Sequence, residues 1–216
     1  MSTVNRGIIT DSIVLDFDAA NIKSYVSGST IWYDLTKNEN NGTLINGVAY
    51  NSLNNGSLFF DGSNDYVEST NLTLNSAYTI NLWFRQTTAL QNKGLVGISG
   101  TSGLAYYYIG GSGTVTVYNG GQFGSGIIPS SLTSWNMATW VRRGNTYLVY
   151  VNGGSPYTGS LTTALTNTGI IRIGCYPNLA SFFNGRISTV QIYNRELIQS
   201  EIQQIYNVTK GRYGIG

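Results

Sequence analysis

Apolar and polar positions alternate with a period of two along most of the chain, and Gly, Asn and Ser break the alternation at short intervals. Successive side chains on a strand point to opposite faces, so this pattern predicts strands packed on one side. The clearest runs are "SIVLDFD" (12–18), 56–62, "YTINLWFRQ" (78–86), 94–99, "LAYYYIG" (104–110), 113–120, "WNMATWVRRG" (135–144), 145–154, 170–175 and "GRISTVQIYN" (185–194). Arg143-Gly144-Asn145 predicts a tight hairpin between two of them. The period changes only near the end. In "RELIQSEIQQIYNVTK" (195–210), Ile198, Ile202, Ile205 and Tyr206 share one helical face, and Gly211 is placed to end the helix. Many short strands without helical spacers predict an all-β fold, an antiparallel two-sheet sandwich with one short C-terminal helix. No repeat or linker interrupts the pattern, so one domain over residues 1–216 is expected.

Composition narrows the picture. Charged residues are 10% of the chain, Gly numbers 27 and Tyr 16, which is turn-rich β composition. A net charge of +2 with no basic cluster longer than Arg142-Arg143 argues against nucleic acid as the main partner. Cys175 stands alone, so no internal disulfide forms. The N-terminal stretch lacks the basic and apolar regions of a signal peptide, and no segment approaches the roughly 20 apolar residues of a membrane span. Folding in a cytoplasm is the expectation, with release by lysis if the protein acts outside a cell.

The acids are unevenly placed. "LFFDGSNDYVEST" (58–70) holds Asp61, Asp65 and Glu68, yet no Asp or Glu lies between Ser69 and Arg195, and His is absent. Asp and Asn suit a strand–turn–strand reading of this stretch, because their short side chains accept backbone N–H groups nearby. A calcium loop using Asp61, Asn64 and Asp65 is the alternative, but the spacing does not fit an EF-hand. Turn chemistry is preferred, with no cofactor expected. Asp16 and Asp18 share one strand face; capping of backbone or pairing with Arg is preferred over a functional pair. The acidic first third is expected to pair with the basic middle of the chain.

Aromatic residues supply the binding candidates. Asn81, Trp83 and Arg85 share a face of one strand, and Asn136, Trp140 and Arg142 share a face of another. If both faces point into one concavity, they form a platform on which a sugar ring could stack, with amide and guanidinium groups on its hydroxyls. The competing reading is that the tryptophans only shield the sheet. Tyr106 and Tyr108, with Tyr118, Trp32 and Tyr33, form a second candidate set.

The order of these segments resembles the concanavalin A-like lectin/glucanase superfamily, in its laminin-G-like jelly-roll branch. The resemblance rests on "NGTLINGVAYN" (41–51), "SLFFDGSNDYVE" (57–68), "YTINLWFR" (78–85), "WNMATWVRRGNTYLVYVNG" (135–153), "IRIG" (171–174) and "FNGRISTVQIYNRELIQSEIQQIYN" (183–207). Two departures stand out. Ser188 occupies a position where the superfamily often has Asp, and Ile198 stands where a Ser or Thr cap usually precedes Glu201, so the helix is expected to lean on Leu197 and Ile202. The glucanases of this superfamily carry their catalytic carboxylates together on a middle strand, which here has none; glycoside hydrolysis normally needs two, about 5–10 Å apart. Without His, Ser/His/Asp and Cys/His schemes also fail. The resemblance thus implies a non-catalytic protein.

The ends, "GIITDSIVLDFDAANIKSY" (7–25) with "WYDLTKNENNGTLING" (32–47) and "IYNVTKGRYGIG" (205–216), are similar to laminin-G-like domains of tailed-bacteriophage virion proteins. That implies a virion location, other virion subunits as partners in a homo-oligomer, and a role in capsid decoration or adhesion to host-surface glycan. A free carbohydrate-binding module is the alternative.

Overall fold

The computed structural model describes residues 8–53, 56–89, 92–100, 103–163 and 166–216, without the side chains of residues 103, 104 and 106. The alternating runs fold into two antiparallel sheets of eight strands each. The first sheet runs β14 (Tyr157–Ser160), β13 (Thr146–Val151), β12 (Asn136–Arg143), β7 (Ala77–Gln86), β16 (Asn184–Tyr193), β5 (Ser57–Asp61), β4 (Ala49–Asn51), and β1 (Ile13–Asp18) also pairs with β16. The second runs β11 (Gln122–Phe123), β10 (Val115–Asn119), β9 (Gly103–Ile109), β8 (Lys93–Gly100), β15 (Thr168–Ile173), β6 (Tyr66–Thr73), β3 (Gly42–Ile45), β2 (Ile31–Trp32). This is the expected jelly-roll sandwich.

Every predicted run is a strand, because each holds enough alternation to bury one face. The unpredicted strands β2, β3, β4, β11 and β14 have four residues or fewer, too few to show a period. Arg143 pairs with Thr146 across the expected hairpin, and Gly144 takes φ +54° at its first central position.

Between the sheets lies a core in which Tyr78, Ile80, Leu82 and Phe84 of β7 meet Val96, Ile98, Tyr107, Ile109 and Val117 of the second sheet. Burying a large aliphatic or aromatic side chain is worth roughly 1.5–3 kcal/mol, so this layer dominates the stability. A smaller second core sits on the outer face of the first sheet. There Leu197, with Ile202 and Ile205 of α1 (Gln199–Thr209) and Tyr213 of a 3-10 turn (Lys210–Tyr213), packs on Trp83, Trp135, Met137, Val141, Tyr150 and Tyr193.

The helix departs from expectation in three ways. Ile198 is its N-cap and is 61% exposed, because its extended backbone points the side chain away from the face that buries Ile202 and Ile205. Half of a capping box forms all the same: the Glu201 carboxylate accepts the Ile198 N–H at 3.0 Å, while Ile198 has no oxygen to reciprocate. Finally, Gly211 falls inside the 3-10 turn, and the left-handed residue that ends it is Gly214, φ +73°.

Candidate functional site

The platform anticipated from Trp83 and Trp140 does not assemble. In the β7–β12 register Trp140 lies opposite Ile80 and Trp83 opposite Met137, so their side chains leave opposite faces of the sheet. Trp140 is buried between the sheets, beside Tyr107 at 5.4 Å, and its indole N–H donates to the Thr116 carbonyl. Trp83 is buried on the outer side beneath the C-terminal elements. It stacks on Tyr213 at 4.1 Å and Tyr206 at 5.8 Å and donates its indole N–H to Thr209. Arg85 donates to the Thr133 carbonyl, and Arg142 is buried with Trp140. Asn81 bonds Gln191 and Thr139, and Asn136 bonds the carbonyls of Ser131 and Ser134. Period-two spacing assigned each set to one face of its own strand but could not relate the two faces.

The tyrosine set fares differently. Tyr107 points into the core, so Tyr108, next to it in β9, faces outward from the second sheet. Tyr106 pairs by its backbone with Tyr118 and Gly97, but its side chain lies outside the described part of the structure. Tyr108 meets Tyr176 edge-on at 5.7 Å and Phe123 at 6.4 Å, and Tyr118 meets Phe123 at 4.8 Å. Phe123 is 68% exposed and forms the outer ring of this cluster. Trp32, by contrast, is buried in a stack on Phe17, and Tyr33 is exposed elsewhere.

Glycine explains why Tyr176 reaches this face. A Cβ on Gly94 would lie 2.2 Å from the Cys175 carbonyl carbon, and one on Gly97 would lie 2.8 Å from Pro177, so the segment 175–177 lies directly on β8. Beside Tyr108 opens a groove of about 290 Å³, walled by Ser112 and Thr114 of the β9–β10 hairpin and by Gly124–Gly126 and Ile128. The Thr116 hydroxyl bonds the carbonyls of Gly124 and Ser125, fixing one wall, and a Cβ on Gly126 would collide with the Val115 carbonyl. No charged side chain lines this groove. Phe123, Tyr176 and Ile128 were not among the sequence candidates. The one signal was an isolated aromatic in the glycine-rich "YNGGQFGSG" (118–126), where no alternation hides it.

Two acids of 58–70, Asp61 and Asp65, behave as turn residues, and Glu68 is a strand residue of β6. Asp61 accepts the Ser63 N–H at 2.7 Å, Asp65 accepts the Asp61 N–H at 3.0 Å, and Glu68 pairs with Arg172 at 2.8 Å. The Ser63 N–H holds the Asp61 carboxyl below its usual range, whereas burial raises that of Asp65. The turn joins β5 to β6, which belong to different sheets, so it carries the chain across the sandwich. Ser188, where the superfamily often has Asp, donates to the Gly56 carbonyl and accepts from Arg212. Among the described residues no three His, Cys, Asp or Glu side chains come together as metal ligands.

Asp16 and Asp18 line one cavity of about 180 Å³ with Trp83, Gln191 and Arg212. They are held separately. Asp18 accepts the Ala20 N–H and pairs with Arg212 at 2.8 Å, as the capping reading expects. The Asp16 carboxylate accepts an amide N–H of Gln191, at 3.1 Å. Burial pushes its carboxyl up to about 6, against the lowering effect of the Gln191 bond and with help from Asp18 and Asp34. Glu68 with Arg172, and Asp11 with Arg195 at 3.0 Å, provide the expected pairing of the first third with the middle.

Comparison with solved structures supports the architecture. Domain 4 of AbnA, an extracellular GH43 arabinanase from Geobacillus stearothermophilus solved with arabinotriose, superposes with a TM-score of 0.75 at 15% identity, covering 90% of this chain and 98% of that one. The botulinum neurotoxin type G receptor-binding domain superposes at 0.61 and 15% identity, covering 92% of this chain and 51% of that one. Trypanosoma rangeli sialidase superposes at 0.66 and 16% identity, covering 93% and 33%. At these identities the likeness is one of fold. No curated protein sequence matches the chain. A laminin-G family model does match, over residues 61–203, and that span runs from the Asp61 turn through all the central strands into α1; the chain belongs to the concanavalin A-like lectin/glucanases superfamily.

Proposed function

We propose that this protein is a non-catalytic carbohydrate-binding module that takes an uncharged glycan on the outer face of its second sheet. The observation that carries the reading is the groove beside Tyr108: an aromatic wall, hydroxyls and glycine-exposed backbone, and no charge. Sugar rings present apolar C–H faces that stack on aromatic rings, and their hydroxyls pair with hydroxyl and backbone groups. Phe123 is the exposed stacking surface, with Tyr118 and Tyr108 behind it. Sugar-bearing relatives in fold, such as the arabinanase domain solved with arabinotriose, make neutral polysaccharides the first ligands to try.

Calorimetry against a panel of neutral and acidic polysaccharides tests this. Saturable binding to a neutral glycan is expected, weakened about fivefold by Phe123→Ala, the loss of one stacked ring being worth about 1 kcal/mol. Binding that Phe123→Ala leaves intact would place the site elsewhere. Release of reducing ends from the bound glycan would overturn the non-catalytic part.

The resemblance of both chain ends to tailed-phage virion domains supports a second, compatible placement: a homo-oligomeric decoration or adhesion protein of a virion, assembled in the host cytoplasm. Gold-labelled antibody on particles from a lysed source culture checks it. Label on heads or tails supports it, and bare particles leave a free module.

A further inference from the structure

We propose that Arg142 holds a small monovalent anion, of the halide kind, between the two sheets. Arg142 is 1% exposed, and a guanidinium stays protonated in any protein environment. Its Nη2 donates to the Gly144 carbonyl at 3.1 Å, but its Nε and Nη1 are buried without a hydrogen-bond partner. An isolated buried charge is costly unless something pairs with it.

No carboxylate does. The five ion pairs among the described residues involve Arg143, Arg172, Arg195 and Arg212, and none includes Arg142. The sequence around it offers no candidate, since no acid lies between Ser69 and Arg195. What surrounds the guanidinium is phenolic. Tyr78, opposite it in the β7–β12 register, shares a hydroxyl–hydroxyl hydrogen bond with Tyr107, and Tyr147, its partner in the β12–β13 register, accepts the Ser125 N–H. Burial raises the phenols of Tyr78, Tyr107 and Tyr147, against the lowering pull of Arg142, so they stay neutral and supply dipoles but no counter-charge. A water molecule would satisfy the two N–H groups and leave the charge uncompensated. A small anion accepts both N–H groups and neutralises the cation in one step. Only a small one is compatible with a side chain enclosed on all sides.

The experiment is a thermal unfolding series at constant ionic strength, exchanging chloride or bromide for a bulky organic anion such as gluconate. The expected result is a saturable rise of several degrees in midpoint with halide, because a ligand of the folded state alone stabilises it by mass action. The rise should vanish in Arg142→Met, which removes the charge and keeps the bulk. A crystal grown in bromide should show an anomalous peak in hydrogen-bond contact with Nε or Nη1. A midpoint indifferent to the anion, or equally sensitive in Arg142→Met, overturns the proposal. A non-anomalous solvent peak at the guanidinium in the bromide crystal does so even if the variant does not fold.

Discussion

Asp16 carries a carboxyl whose chemistry departs clearly from its ordinary range. Its carboxyl titrates near 6 in the folded chain because burial disfavours the charged form. A carboxyl raised on folding binds its proton more tightly in the folded state, so its contribution is fully present below the unfolded value near 3.8 and is lost as pH rises through about 6. Asp61 and Glu201, both lowered, act in the opposite sense, but their stability is lost only in more acidic solution. Asp16→Asn keeps an acceptor for Gln191 and removes the buried charge. Urea midpoints should therefore show the variant more stable than the parent at pH 7.5, by on the order of 2 kcal/mol, and the difference should shrink towards pH 4.5. A pH-independent difference would show that solvent reaches Asp16 freely.

At the scale of elements, the C-terminal helix and its 3-10 turn act as a cover for the outer face of the first sheet. Their own propensity is modest, and an isolated helix of this length is marginal in water. What holds them is the stacking of Trp83 with Tyr206 and Tyr213, the burial of Ile202 and Ile205, and the pairing of Arg195 with Glu201 at 2.7 Å. Ile202→Ala should cost about 2–5 kcal/mol in chemical denaturation. Its tryptophan emission should shift to the red before the main transition if the cover loosens first, and a single coincident transition would show that cover and sandwich unfold together. The segment 175–177 is the corresponding device on the second sheet. Gly97→Ala should push Pro177 off β8, separate Tyr176 from Tyr108 and weaken glycan binding more than it lowers the midpoint. Unchanged affinity would remove Tyr176 from the site.

Taken whole, the molecule is a two-sheet sandwich whose single thiol reports on its integrity. Cys175 is buried where β15 leaves the second sheet, and burial pushes its thiol up to about 12, the nearby Arg172 only partly offsetting this. The thiolate is the reactive form, so the native protein should resist an aromatic disulfide reagent at pH 8 and react once per chain after unfolding. Reaction paced by global unfolding is the expected outcome. Rapid reaction of the native protein would mean that the 175–183 segment opens on its own, and with it the Tyr176 contact that backs Tyr108.

What the sequence determined by itself is whatever repeats locally. The strand character of 78–86 and 185–194, the glycine of the Arg143–Asn145 hairpin and the helical spacing of Ile202 and Ile205 each depend on neighbours a few residues away, so they are legible in order of occurrence. The turn role of Asp61 was legible for the same reason, since its partner is Ser63. The tertiary structure decided everything that depends on which strands meet. Trp83 and Trp140 carry the same local signature, and only the β7–β12 register sends one beneath the helix and the other between the sheets. The groove beside Tyr108 joins a hairpin and the loop after β11, and Tyr108 itself rests against Tyr176, from a segment far along the chain that Gly94 and Gly97 admit onto β8, an assembly no periodicity encodes. The unpaired charge of Arg142 belongs to the same class, because a chain can show that no acid lies near in sequence but only the fold shows that none arrives in space.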